Sequence, residues 1–110
     1  MSTEERLTDF LRHARDWERR ATNIGGVFLL KLPSYKTRQA SVAIEINPVD
    51  ASGSATKKRG IVIRSASELN QIINILSNPK LSELTVKIDE VNPKQKDAAA
   101  IGGRPDIFEI

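Results

Sequence analysis

The segment ASVAIEIN, residues 40–47, alternates strictly between two kinds of side chain. Successive side chains of a strand point to opposite faces of a sheet, so the pattern predicts a half-buried strand. The aliphatic row is expected to face the core, and the other row is expected to face outward. The first row comprises Val42, Ile44 and Ile46, and the second comprises Ser41, Ala43, Glu45 and Asn47.

Three further segments are predicted to be strands. GVFLLKL, residues 26–32, is apolar at both odd and even positions and is bounded by Gly26 and Pro33. So short an apolar segment favours a strand over a helix. RGIVIR, residues 59–64, follows a loop rich in Ser, Ala and Gly. LTVKIDEV, residues 84–91, alternates again and is predicted to be the last strand.

Two amphipathic helices complete the prediction. Residues 3–22 carry apolar side chains at spacings of three and four behind a cap at Ser2 or Thr3. The second helix begins after Ser65, which forms a capping-box pattern with Glu68, and it ends at Asn78 and Pro79. The order α-β-β-β-α-β predicts an α+β fold with a four-stranded antiparallel sheet and both helices packed on one of its faces.

Two helices are wide enough to cover only one face of such a sheet. Phe10 and Trp17 lie on the apolar stripe of the first helix and are predicted to be core residues. The opposite sheet face, with Ala43 and Glu45, is expected to stay open, and Glu45 is expected to pair with Arg64 or Lys87 across strands. A partly apolar open face usually marks a binding surface or a contact between subunits.

The positive charge is concentrated in the middle of the chain. The net charge is +3, but residues 31–64 hold seven cations and two acids, a local charge of +5. The chain has no cysteine, which excludes disulfides and thiolate chemistry, and its charged N-terminus lacks the apolar run of a signal peptide. No apolar run is long enough to cross a membrane. We expect one cytoplasmic domain over residues 1–91 and a flexible tail over residues 92–110.

Two basic loops border the expected open face: PSYKTR, residues 33–38, and SATKKRG, residues 54–60, which we call the basic arm. Bases of an unpaired strand stack on apolar surface while phosphates contact cations. This arrangement predicts sequence-independent binding of single-stranded DNA, or of RNA. The candidate contact residues are Phe28, Lys31, Tyr35, Lys36, Arg38, Lys57, Lys58, Arg59, Arg64 and Lys87. The alternatives are a module that binds another protein through the open face, a binder of duplex or structured RNA, or a merely solvated loop.

The segment from Val42 to Leu76 resembles the single-stranded DNA-binding domain of transcriptional coactivators of the positive-cofactor-four type. The resemblance lies in VAIEINPVD, a glycine-containing loop, KKRGIVI and the helical ELNQIINIL. The proline-glycine pair of that family is missing here, as is the tryptophan of its helix. The overall layout is also similar to that of the archaeal single-stranded DNA-binding proteins called ThermoDBP. Both resemblances imply an archaeal-type or coactivator-type binder of unpaired DNA.

Catalysis and metal binding are not expected. The chain has one histidine, His13, and the sequence has no phosphate-binding glycine loop and no carboxylate cluster with metal spacing. No cofactor is therefore predicted. A homodimer or higher homo-oligomer is predicted, because an open sheet with edge strands needs a partner and the apolar end of the tail could dock across a subunit boundary.

Overall fold

A four-stranded antiparallel sheet is the centre of the fold, and its strands follow one another in chain order, β1-β2-β3-β4. The computed structural model describes residues 1–93. Its elements are α1 (Thr3–His13), β1 (Arg19–Ala21), β2 (Val27–Leu32), β3 (Ser41–Ile46), β4 (Ile61–Ile63), α2 (Ala66–Leu76) and α3 (Pro79–Val91). The predicted α+β class with a four-stranded antiparallel sheet is confirmed.

Residues 1–71 form one compact unit, and a second unit begins at Ile72. The first unit contains α1, the whole sheet and the start of α2. The second contains the end of α2 together with α3. The predicted tail lies outside the described residues except for Asn92 and Pro93.

The first helix is shorter than predicted. It begins with the expected cap, because the Ser2 hydroxyl accepts a hydrogen bond from the backbone N–H of Glu5 and the Glu5 carboxylate accepts one from the N–H of Ser2. It ends at His13 rather than at residue 22, and Arg19–Ala21 pairs with β2 as an edge strand. The apolar spacing continues past His13, so local periodicity does not reveal this end; strand pairing overrides it.

The strand predicted over residues 84–91 is wrong, because these residues belong to α3. The Asn78 side chain accepts a hydrogen bond from the backbone N–H of Lys80, and Pro79 occupies the first turn. Proline is favoured there because the missing N–H would have no helical partner. The pair that ends α2 therefore also begins α3, and the fourth strand of the sheet is β1.

One face of the sheet, which we call the helix face, contacts α1. Antiparallel register places Arg20, Leu29, Lys31 and Ile44 on this face. The Lys31 ammonium donates hydrogen bonds to the carbonyl oxygens of Leu11 (2.7 Å) and Ala14 (2.9 Å), which belong to the last turn and C-cap of α1. Helix C-termini leave carbonyl groups without partners, and a cation is favoured there.

The opposite face, which we call the arm face, is the more deeply buried one. Register places Phe28, Leu30, Ala43, Glu45 and Val62 on it. Leu30, Leu32 and Ala43 form the hydrophobic core cluster, with Val62 packed against them. The expectation that Ala43 and Glu45 lie on an open face is therefore wrong, since Ala43 is 3% exposed and Glu45 is 0% exposed.

Candidate nucleic-acid interface

A buried carboxylate, that of Glu45, organises the arm face. It accepts hydrogen bonds from Arg19 Nε at 2.9 Å and from Arg19 Nη2 at 3.1 Å. It also accepts from Asn47 Nδ2 at 3.0 Å and from the backbone N–H of Gly60 at 2.7 Å. The predicted partners of Glu45, Arg64 and Lys87, are replaced by Arg19, which lies 26 residues earlier in the chain. A two-pronged guanidinium–carboxylate contact is among the strongest hydrogen-bonded pairs in proteins.

The pKa of Glu45 lies below its ordinary value. Burial acts to raise this pKa, because it disfavours the charged carboxylate. The hydrogen bonds from Asn47, Arg19 and Gly60, with the positive charge of Arg19, together outweigh burial and lower the pKa. Glu45 is therefore a carboxylate at neutral pH, and it keeps its donors in place.

These donors fix the basic arm on the sheet. Asn47 is 0% exposed and bonds to both backbone groups of Lys57, donating to its oxygen (2.8 Å) and accepting from its N–H (3.1 Å). Arg19 Nη2 donates to the backbone oxygen of Lys58 at 2.8 Å. Gly60 packs so closely that an added Cβ would overlap the carbonyl oxygen of Ile46. The backbone of the basic arm is therefore held against the sheet, whereas its charged side chains remain exposed.

Trp17 lies at a bulge in the first edge strand. Its N–H donates to the oxygen of Lys31 at 2.7 Å, while the oxygen of Glu18 accepts from the N–H of Lys31 at 2.9 Å. Two residues thus oppose one, and Trp17 has a positive φ of 68°. Such bulges usually carry glycine at this position, so a tryptophan here strains the backbone. The side chain is 48% exposed, which corrects its assignment to the core, whereas Phe10 is 3% exposed as predicted.

The basic arm meets Trp17 through Arg59. The Arg59 guanidinium carbon lies 4.6 Å from the centre of the Trp17 ring system, a cation–π contact. Within residues 1–93, Lys57, Lys58 and Arg59 form no ion pair with an acidic side chain. The arm therefore presents three cations that have no acidic partner within residues 1–93, and one of them, Arg59, lies over a half-exposed indole.

A second aromatic–cation pair lies at the tip of the β2–β3 hairpin. Tyr35 and Arg38 exchange backbone hydrogen bonds of 2.9 and 2.8 Å across a two-residue turn, in which Lys36 has a positive φ of 54°. The Lys36 ammonium lies 5.3 Å from the centre of the Tyr35 ring, and Tyr35 is 60% exposed. Because Trp17 bonds to Lys31 near the end of β2, this hairpin projects from the sheet end at which Trp17 lies.

In the structure, some of the ten predicted contact residues are exposed in the basic loops, whereas others are buried or lie elsewhere. Exposed residues of the two basic loops account for six of them: Tyr35, Lys36, Arg38, Lys57, Lys58 and Arg59. Phe28 and Lys31 are 7% and 6% exposed, so neither can offer its side chain as a contact surface. Phe28 lies on the arm face, with the Arg19 guanidinium carbon 5.4 Å from its ring centre, and Lys31 holds the end of α1.

The other two predicted contact residues, Arg64 and Lys87, lie outside the strands on which they were placed. Arg64 is exposed just after β4, and its N–H donates to the Glu68 carboxylate at 2.6 Å. Lys87 is exposed on α3 in the second unit, not in a strand of the sheet.

Two residues that organise the site, Trp17 and Arg19, were not among the predicted contact residues. Arg19 lies beyond the real end of α1, and its role depends on a pairing partner far along the chain. No local signal marks the end of α1 at His13, because no glycine or proline precedes Thr22. Residue spacing alone cannot distinguish one more helical turn from a short edge strand.

Comparisons with protein-family models, curated proteins and solved structures found no match for this chain. Within residues 1–93, no helix has both the length and the apolar character needed to cross a membrane.

Proposed function

We propose that this protein binds single-stranded nucleic acid, DNA or RNA, with little sequence preference and without catalysing a reaction. The observation that carries the proposal is the Trp17–Arg59 pair: a half-exposed indole with a guanidinium 4.6 Å away, on an arm that also carries Lys57 and Lys58. Stacking of a base on an aromatic side chain contributes about 1–3 kcal/mol and is available only to unpaired bases.

The contact surface differs from the one that the sequence predicts. Its stacking groups are Trp17 and Tyr35 at one end of the sheet rather than the centre of a sheet face. The backbone of the basic arm is already held by Arg19, Glu45 and Asn47. An arm that is ordered before binding loses less conformational entropy on binding, and this favours affinity.

Salt should weaken binding strongly. The two basic loops offer five exposed cations: Lys36, Arg38, Lys57, Lys58 and Arg59. If each neutralises one phosphate of a single strand, counterion release gives a log-log slope of about −3.5 for affinity against salt concentration. A slope near zero would contradict the proposal.

The test uses the single tryptophan as a reporter. Titration with a labelled oligo-dT strand should quench Trp17 fluorescence and raise the anisotropy of the label, whereas a duplex of equal length should bind more weakly. Changing Lys57, Lys58 and Arg59 to glutamate should lower affinity at least tenfold. The matched control changes Arg6, Arg12 and Lys80 to glutamate, which alters the net charge equally but lies elsewhere in the chain.

Equal affinities of the two triple variants would show that only net charge matters, and no binding by the unaltered protein would refute the proposal. In that case the alternative, a module for protein contacts, would be favoured. The sheet face first expected to make such contacts is covered, but exposed apolar side chains of α2 and α3 support an assembly role.

A further inference from the structure

We infer that the apolar stripes of α2 and α3 form a contact surface between two copies of this chain. Neither helix has a buried residue. Seven large apolar side chains on these helices are exposed, and five of them, which we call the apolar stripes, recur at spacings of three or four residues within their helix: Ile73, Leu76, Leu84, Ile88 and Val91. The other two are Ile75 and Val86. All seven belong to the second unit of the chain.

The spacing in α3 is that of a helix that packs against another helix. Leu81, Leu84, Ile88 and Val91 recur at intervals of three, four and three residues. At 100° per residue these four side chains fall within an arc of about 80°. This is the a/d pattern of paired helices. Val86 is exposed to the same extent as Leu84, 56%, but it points away from the stripe.

The apolar stripe of α3 needs another surface to pack against. The helix has 13 residues, and helices shorter than about 12–15 residues are marginal in water unless an apolar face packs against something. From their exposed fractions, the five residues present about 550 Å² of surface per chain, which is comparable to the largest apolar patch of a typical monomer, and such patches are often functional.

A second copy of the chain fits this surface better than a strongly acidic or strongly basic partner. The polar positions of α3 carry Lys80 and Lys87 together with Glu83, Asp89 and Glu90, a net charge of −1. Two copies therefore meet without strong repulsion, while a polyanion or polycation finds no complementary field. If the five residues are covered completely in both copies, about 1,100 Å² is buried in total, close to the ~1,000 Å² expected of a specific interface.

The experiment measures the mass of the full chain by light scattering over a range of concentrations, without nucleic acid. The expected mass is twice 12.2 kDa. Leu84→Glu should shift the protein to the mass of one chain. Val86→Glu, the control with equal exposure and equal charge change, should leave the dimer intact.

Thermal unfolding supplies a second readout in case Leu84→Glu fails to fold. If dimerisation is coupled to folding, the Tm rises with protein concentration. The Tm of a monomer does not depend on protein concentration. A mass of one chain at every concentration would overturn the inference, and so would equal effects of the two substitutions. A protein that is monomeric as a full chain but dimeric when cut after Pro93 would assign the stripe to residues 94–110 instead. Because no oligonucleotide is present, failure here leaves the proposed function intact.

Discussion

Replacing Glu45 with glutamine should destabilise the protein through one defined set of contacts. The carboxylate oxygen that faces Gly60 also accepts from Asn47 and from Arg19 Nη2, and the amide oxygen of glutamine can keep these contacts. The other oxygen accepts from Arg19 Nε at 2.9 Å. In the variant an NH₂ group faces that N–H, so two donors oppose each other and the charge assistance is lost.

The size of the loss follows from the exposure of the two partners. A hydrogen bond to a charged group contributes about 1.5–3 kcal/mol, and removing one partner of a buried pair can cost about 3–5 kcal/mol. Glu45 is fully buried, but the Arg19 side chain is 32% exposed and can be hydrated after the change. We therefore expect Glu45→Gln to lower the free energy of unfolding by about 2–3 kcal/mol, a large part of the 5–15 kcal/mol typical of natural proteins.

The loss should depend on pH in a definite direction. The folded-state pKa of Glu45 is lowered, so the carboxylate contributes stability above its unfolded pKa, about 4.3. That contribution disappears as pH falls through the lower folded-state value. The difference in stability between the unaltered protein and Glu45→Gln should therefore be largest at neutral pH and should shrink below about pH 4.

Urea unfolding followed by circular dichroism measures this difference, and Trp17 fluorescence reports on docking of the basic arm. Glu83→Gln is the matched control, because Glu83 is exposed on α3 and its loss should change stability by less than about 0.5 kcal/mol. If Glu45→Gln is as stable as Glu83→Gln at neutral pH, Glu45 does not hold the arm. A difference that is constant from pH 7 to pH 3 would refute the role of its charge.

Two glycine comparisons test the backbone of the site. Gly60→Ala should cost about 3 kcal/mol of stability in urea unfolding, because the new Cβ meets the Ile46 carbonyl, whereas Gly53→Ala, with a φ of 87° and nothing within 4 Å, should cost only about 1 kcal/mol. Equal losses would show that Gly60 can move away. Trp17→Gly should be more stable than Trp17→Ala by about 1 kcal/mol in the same assay, since only alanine retains the strain of a positive φ. A more stable alanine variant would argue against strain at this bulge.

Local patterns were sufficient for most of the strands. The apolar run before Pro33 and the alternation in residues 40–47 correspond to β2 and β3 within two residues. Ser65 accepts from the N–H of Glu68 at the start of α2, as the capping pattern predicts. These features depend on interactions between residues close in the chain, which is why they can be predicted from it.

The same patterns failed where the local sequence suits both a helix and a strand, or where pairing with a distant strand decides the structure. Alternation in residues 84–91 predicted a strand, yet the spacing of Leu81, Leu84 and Ile88 also suits a helix, and the Asn78–Pro79 pair is as good a start as it is a stop. The three residues of β1 are all exposed, so they show no alternation of buried and exposed side chains that would indicate an edge strand.

The amino-acid sequence by itself determined the α+β class, the two rows of side chains in β3 and the placement of cations in two loops. Only the tertiary structure decided which row is buried more deeply, since periodicity divides a strand into two faces without saying what will cover either one. A buried carboxylate must find its donors wherever the fold brings them, and those of Glu45 come from β1, from Asn47 and from the basic arm. That requirement places the arm over the sheet and brings Arg59 to Trp17.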